Sequence, residues 1–124
     1  MPAIQRVWLT KLEADILLHR LEVPDAIADA MDRLEPETEY EAVALACERL
    51  AKQLRSGYVE PHDKLERAVL EDAFVGSTYV ACMEEAYHDG QLSAQKLGKI
   101  KRAYERLGDK LAAEVGLNTA WQTY

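Results

Sequence analysis

The chain has 124 residues, enough for one domain and too few for two that each bury a core of their own. With 48% hydrophobic and 30% charged residues it has the balance of a globular protein, while six Gly, four Pro and a single Phe are sparse for a β-sandwich. A formal net charge of -7 argues against a generic nucleic-acid binder, and the longest apolar run, residues 42–47, is far short of the roughly 18 residues a membrane span needs.

Lys11, Glu13, Asp15 and Arg20 interrupt the N-terminal region too early for a signal-peptide core, so an intracellular, cytoplasmic protein is expected. Thr10-Lys11-Leu12-Glu13 has the form of a capping box and predicts a helix over 11–21 with Leu12, Ile16 and Leu17 inward. Val23-Pro24 stops that helix, because proline pushes the preceding residue out of helical geometry. Asp25 then caps a short second helix to about residue 34, with Ala26, Ile27, Ala30, Met31 and Leu34 on its inner face. After Pro36, a second box at Thr38-Glu39-Tyr40-Glu41 opens a third helix that runs to about residue 55. Its inner stripe is Tyr40, Val43, Ala44, Cys47, Leu50, Ala51 and Leu54, and Gly57 is its left-handed terminator.

Pro61 opens the next segment, where Leu65, Val69, Ala73, Gly76, Val80, Met83 and Tyr87 recur every three or four residues. The stripe keeps its phase through Gly76-Ser77-Thr78, which predicts one long central helix over 62–88 with Gly76 at a close approach of a neighbouring backbone. Asp89-Gly90 ends it, Ser93 caps a fifth helix, and Leu97, Ile100, Tyr104, Leu107, Leu111 and Val115 form its stripe up to Gly116. Residues 117–124 have no periodicity and read as a tail. The expected fold is all-α: a single domain over 1–124, a compact bundle of about five helices whose long fourth and fifth members form an antiparallel C-terminal hairpin. Cys47 and Cys82 lie among small apolar residues with no C-x-x-C pair, so both are expected as buried free thiols.

The charge is unevenly divided. Residues 22–48 hold nine acids against Arg33 alone, a net -8, while residues 91–110 hold six bases against Glu105 and Asp109, a net +4. Asp25, Asp29 and Asp32 form an acidic ridge on the second helix. Lys99, Arg102, Arg106 and Lys110, spaced by three, four and four, form a basic ridge about 17 Å long on the fifth. These seven residues are the candidate partner-binding positions; flanking Lys and Arg of a bundle helix also commonly lay their stems beside the apolar seam with their heads in water.

Three chemical patterns are incomplete. The first two helices have the rhythm of a helix-turn-helix, but the recognition element would begin with Glu37, Glu39 and Glu41, which phosphates repel. His62-Asp63 and His88-Asp89 are similar to the His-Asp pairs of helical metal-dependent phosphohydrolases, which would make His19, His62, Asp63 and Asp89 the ligands; Asp63 is already accounted for at a helix start. Glu85-x-x-His88 is half of a di-iron motif whose other half does not occur. There is no P-loop, dinucleotide fingerprint or nucleophile elbow. The expectation is therefore a non-enzymatic regulator, inhibitor- or adaptor-like, that binds another protein through charged helix faces without a cofactor or metal, with homodimerisation compatible. The alternatives are a nucleic-acid accessory protein using the basic ridge and a His-Asp phosphohydrolase.

Overall fold

The computed structural model describes residues 6–22, 26–32, 34 and 39–116, and within them the chain is mostly helical with one small sheet. A strand β1 (Val7–Trp8) precedes α1 (Lys11–Leu21), α2 (Ala26–Met31) and α3 (Tyr40–Arg55). A second strand β2 (Tyr58–Val59) leads to α4 (Lys64–Val75), α5 (Tyr79–His88) and α6 (Ala94–Lys110), and the chain then widens into a π-helical turn, Leu111–Val115. The strands pair antiparallel, Val7 opposite Val59 and Trp8 opposite Tyr58, so both valines face the core and both rings lie on the outer face. Two residues per strand are too few for alternation to register, and the sheet was not expected.

Several local expectations hold. The first capping box is formed: the Thr10 hydroxyl accepts from the Glu13 amide at 3.2 Å, and the Glu13 carboxylate accepts from the Thr10 amide at 2.8 Å. Gly57 and Gly116 adopt φ of 90° and 74°, the left-handed geometry that ends a helix without a Cβ penalty. Ser93 caps α6 by accepting from the Lys96 amide at 3.1 Å. Val23-Pro24-Asp25, Pro36, Thr38 and the 117–124 tail lie outside the described residues, so the second capping box is not described; Glu39 stands at the N-cap of α3 without a side-chain cap. Tyr40, expected inward, is 56% exposed at the first turn of α3.

The core gathers around α1, which packs against α3, α4, α5 and α6. Ile16 and Leu17 meet Leu50 and Leu54 of α3, Val69, Leu70 and Phe74 of α4, and Tyr104 and Leu107 of α6 in one buried cluster. Each such side chain contributes about 1.5–3 kcal/mol on burial. Phe74 stacks on Tyr104 with centroids 4.6 Å apart, and the Tyr104 hydroxyl donates to the Phe74 carbonyl at 3.3 Å. Burial pushes that phenol up from its ordinary pKa, keeping it a donor.

The expected helix over 62–88 is not formed. The chain breaks at Gly76-Ser77-Thr78 into α4 and α5, giving six α-helices among the described residues instead of five and removing the long partner of the expected hairpin; the ten-residue α5 packs along α6, and α4 meets it at Phe74 and Tyr104. The reason is on α1. The Ser77 hydroxyl donates to the Ile16 carbonyl at 2.9 Å and accepts from the Tyr79 amide at 3.3 Å, while Thr78 Oγ1 meets His19 Nε2 at 3.1 Å. At the break the Gly76 amide still bonds the Asp72 carbonyl at 2.8 Å and the Ser77 amide the Phe74 carbonyl at 3.4 Å, the Tyr79 amide turns to the Ser77 hydroxyl, and the two hydroxyls tie the new start to α1. A Cβ on Gly76 would fall 3.0 Å from Arg20 Nε and 2.9 Å from the Asp72 carbonyl, so the glycine admits the Arg20 side chain, not a neighbouring backbone. Cys82 is likewise corrected: Cys47 is buried, but Cys82 sits on the outer side of α5.

Gly76→Ala separates the two geometries. In an unbroken helix it would stabilise by about 1 kcal/mol; here it is expected to cost about 1–3 kcal/mol in urea denaturation, because Arg20 and the end of α4 must move.

Candidate functional site

The two ends of the basic ridge on α6 do different things. Lys110 Nζ lies 2.6 Å from Glu13 Oε1 and donates to the Trp8 carbonyl at 3.3 Å, and Arg106 Nε lies 3.6 Å from Glu13 Oε2. Glu13 is 0% exposed. Burial by itself raises its pKa, but the Lys110 ammonium and the Thr10 amide outweigh that and hold the carboxyl below its ordinary range. Arg106 and Lys110 are thus counter-charges of a capping residue on α1, while Lys99 and Arg102 point outward. Of the acidic ridge, Asp25 lies outside the described residues, Asp29 lies on α2 and Asp32 is exposed just beyond it.

Two further buried carboxylates, Glu66 and Asp72, are not signalled by a motif that the sequence reading used. Asp63 caps α4 by accepting from the Glu66 amide at 2.8 Å, and Glu66 reaches back to the His62 amide at 3.3 Å and to Arg49 Nη1 at 3.3 Å. Asp63-x-x-Glu66 is itself a capping-box spacing, a signal the proline at the helix start obscured. Asp72 meets Arg20 Nε at 3.4 Å. Its one clue is phase, since an acid one position before Ala73 falls within the apolar stripe. Burial and then the Asp72 charge push the Cys47 thiol up, which leaves it an unreactive core residue.

The metal pattern is dispersed. His19 bonds Thr78 and stands edge-on to Tyr79, Asp63 is a helix cap, and Asp89 follows α5. Among the described residues no three His, Cys, Asp or Glu side chains converge as metal ligands. His19 and Thr78 are arranged as a tether between α1 and α5.

Two grooves remain. One, about 420 Å³, lies between α1, α5 and α6: Leu12, Tyr79, Met83, Leu92 and Ile100 form its apolar floor, and Lys96 and Lys99 stand on its rim. Burial and then Asp15 raise the Tyr79 pKa against the opposing pull of Lys11, so its hydroxyl stays neutral. Of the ten α5 residues only Val80 is buried. The other, about 530 Å³, is lined by Arg49, Lys52, Gln53, Ser56, Tyr58 and His62. Beside it Arg6 lies over the Tyr58 ring at 4.2 Å and the Trp8 ring at 5.6 Å while pairing with Glu60 at 3.0 Å. Among the described residues no helix is long and apolar enough to cross a membrane. No protein-family model, curated protein or solved structure matches the chain.

The Glu13 cluster has a pH signature. A carboxylate whose folded pKa lies below its unfolded value of 4.5 contributes stability that is fully present above that pH and lost as pH falls through the lower folded value. The urea midpoint should fall on acidification below pH 4.5, and less steeply in Glu13→Gln. At neutral pH, Lys110→Met is expected to cost about 2–3 kcal/mol in the same assay, because it strips the closest counter-charge from a buried carboxylate while Arg106 remains.

Proposed function

We propose that the chain is a small non-enzymatic regulator, inhibitor- or adaptor-like, that acts in the cytoplasm by binding another protein through charged helix faces. The observation that supports this best is α5. It carries Tyr79, Met83 and Tyr87, yet only Val80 of its ten residues is buried, and it borders an open apolar groove rimmed by Lys96 and Lys99. A soluble helix that leaves its apolar residues beside a charged rim has the anatomy of a protein-docking surface: an apolar centre to bury and a polar edge to set orientation.

The acidic ridge of Asp25, Asp29 and Asp32 supplies the second face, steering the approach of a basic surface. On α6, Lys99 and Arg102 are the available members of the basic ridge; Arg106 and Lys110 are held by Glu13. The nucleic-acid reading, made on the basic ridge of Lys99, Arg102, Arg106 and Lys110, loses two of its four cations to Glu13, and a separate feature, the Arg6, Trp8 and Tyr58 stack beside the groove that Arg49, Lys52 and His62 line, adds to it. It is secondary, because Arg6 and Arg49 are engaged with Glu60 and Glu66 and the whole chain carries -7.

Capture from a lysate of the native host tests the reading. The wild type should retain a stoichiometric protein identified by mass spectrometry. Reversing Asp25, Asp29 and Asp32 to Lys, or Lys99 and Arg102 to Glu, should weaken its affinity about tenfold or more, roughly 1.4 kcal/mol, without loss of helical circular dichroism. Retention of nucleic acid alone, released by salt, would replace this reading with the accessory-protein one.

A further inference from the structure

The groove between α1, α5 and α6 has a complement on the same molecule. The outer stripe of α3 carries Glu41, Leu45 and Glu48, spaced by four and three on one helix side, so Leu45 is flanked along the axis by two carboxylates. Leu45 is 48% exposed. The groove inverts this pattern, with an apolar floor and lysines on its rim. Among the described residues none of Glu41, Glu48, Lys96 and Lys99 forms an ion pair, whereas Glu13, Glu66 and Asp72 all have cationic partners. The described residues therefore carry an exposed leucine between two carboxylates on α3 and an apolar groove rimmed by lysines, with charges of opposite sign.

One copy cannot join them. The inner stripe of α3 is buried against α1, α2 and α4, so its outer stripe faces solvent, while α5 and α6 pack on α1 and on each other. We propose that the chain self-associates head to tail, with α3 of one copy seated in the α1, α5 and α6 groove of the next. Leu45 enters between Met83 and Ile100, and Glu41 and Glu48 meet the lysines on the rim. Such a contact is heterologous: each copy keeps one free groove and one free α3 face, so growth continues past a dimer unless the rotation closes a ring. The surface is small beside the roughly 800 Å² per partner of a stable complex, and seven net negative charges per copy oppose crowding. The association is therefore weak and reversible, in the micromolar to millimolar range. The inference rests on the reading of this groove as a docking surface and gives it a definite occupant; an oligomer would leave the α2 ridge displayed in several copies to a partner.

Sedimentation velocity of the full chain from about 10 μM to about 1 mM, the span of weak protein contacts, tests it. The average mass of the wild type should rise above 14.0 kDa with concentration. Leu45→Asp removes the inserted side chain and Met83→Asp spoils the floor, and each variant alone should remain monomeric. Mixed in equal amounts they should form a dimer that grows no further, since one supplies an intact groove and the other an intact α3. If Met83→Asp lowers helical circular dichroism, the exposed pair Lys96→Glu and Lys99→Glu takes its place, to be mixed with Leu45→Asp in the same way. A single 14.0 kDa species across the range, or a dimer that survives both variants, would overturn the proposal. A monomeric wild type whose captured partner is lost in Met83→Asp would overturn self-association while sustaining the protein-binding reading. A chain that associates as described but captures no partner would do the reverse.

Discussion

The ion pair between Glu13 and Lys110 closes the structure. It joins a carboxylate on the first turn of α1 to an ammonium 97 residues later at the end of α6, and the same ammonium donates to the Trp8 carbonyl on β1. The carboxylate is already committed locally, because it accepts the Thr10 amide that opens α1. One side chain thus starts the first helix and fixes where the last one lies. Replacing such a buried pair with apolar groups of equal volume is often neutral or favourable for stability, so its main physical effect is on register. Sliding α6 along α1 would leave a desolvated carboxylate without its base, whereas leucines and isoleucines tolerate repacking.

Two more carboxylates repeat the arrangement. Glu66 ties the start of α4 to Arg49 of α3, and Asp72 ties its last turn to Arg20 of α1. Arg20 then needs room, and Gly76 supplies it. Ser77 and Thr78 turn to α1 for hydrogen bonds, and the helix ends there. The break redirects the chain, so α5 leaves the core with only Val80 buried. The exposed apolar surface that supports a docking role is therefore a consequence of the packing of Arg20 and the tethering of α5 to α1.

The same pairs divide the charge. A net of -7 spread over a surface would be a uniform repulsive field, but here Glu13, Glu66 and Asp72 are spent inside against Lys110, Arg49 and Arg20. What remains outside is patchy: lysines around an apolar groove, carboxylates on either side of Leu45 on α3, and an arginine stacked on two aromatic rings of the small sheet. Charges left free beside apolar surface are the ones available to a partner, and those already paired inside are unavailable at the same formal count.

Local chemistry was legible wherever it was short-ranged. The Thr10 to Glu13 box, the cap at Ser93, the left-handed stops at Gly57 and Gly116, and the inward stripes of α3 and α6 all follow from interactions within about four residues, which spacing records. Periodicity could not decide whether the stripe through Gly76 belonged to one helix or two. Phase reports which side chains are apolar; continuity depends on what the Ser77 and Thr78 hydroxyls bond, and their partners, the Ile16 carbonyl and the His19 ring, are on α1, about sixty residues away in sequence. The basic ridge was equally ambiguous: its spacing placed four cations on one helix side, but only the approach of Glu13 separated Arg106 and Lys110 from Lys99 and Arg102. Sequence by itself determined the helical class, the caps at Thr10 and Ser93 and most of the inner faces of α3 and α6, because those are set by neighbours along the chain. Tertiary structure decided the break, the buried pairs and the free surfaces, because each depends on a charge or hydroxyl brought in from a distant element.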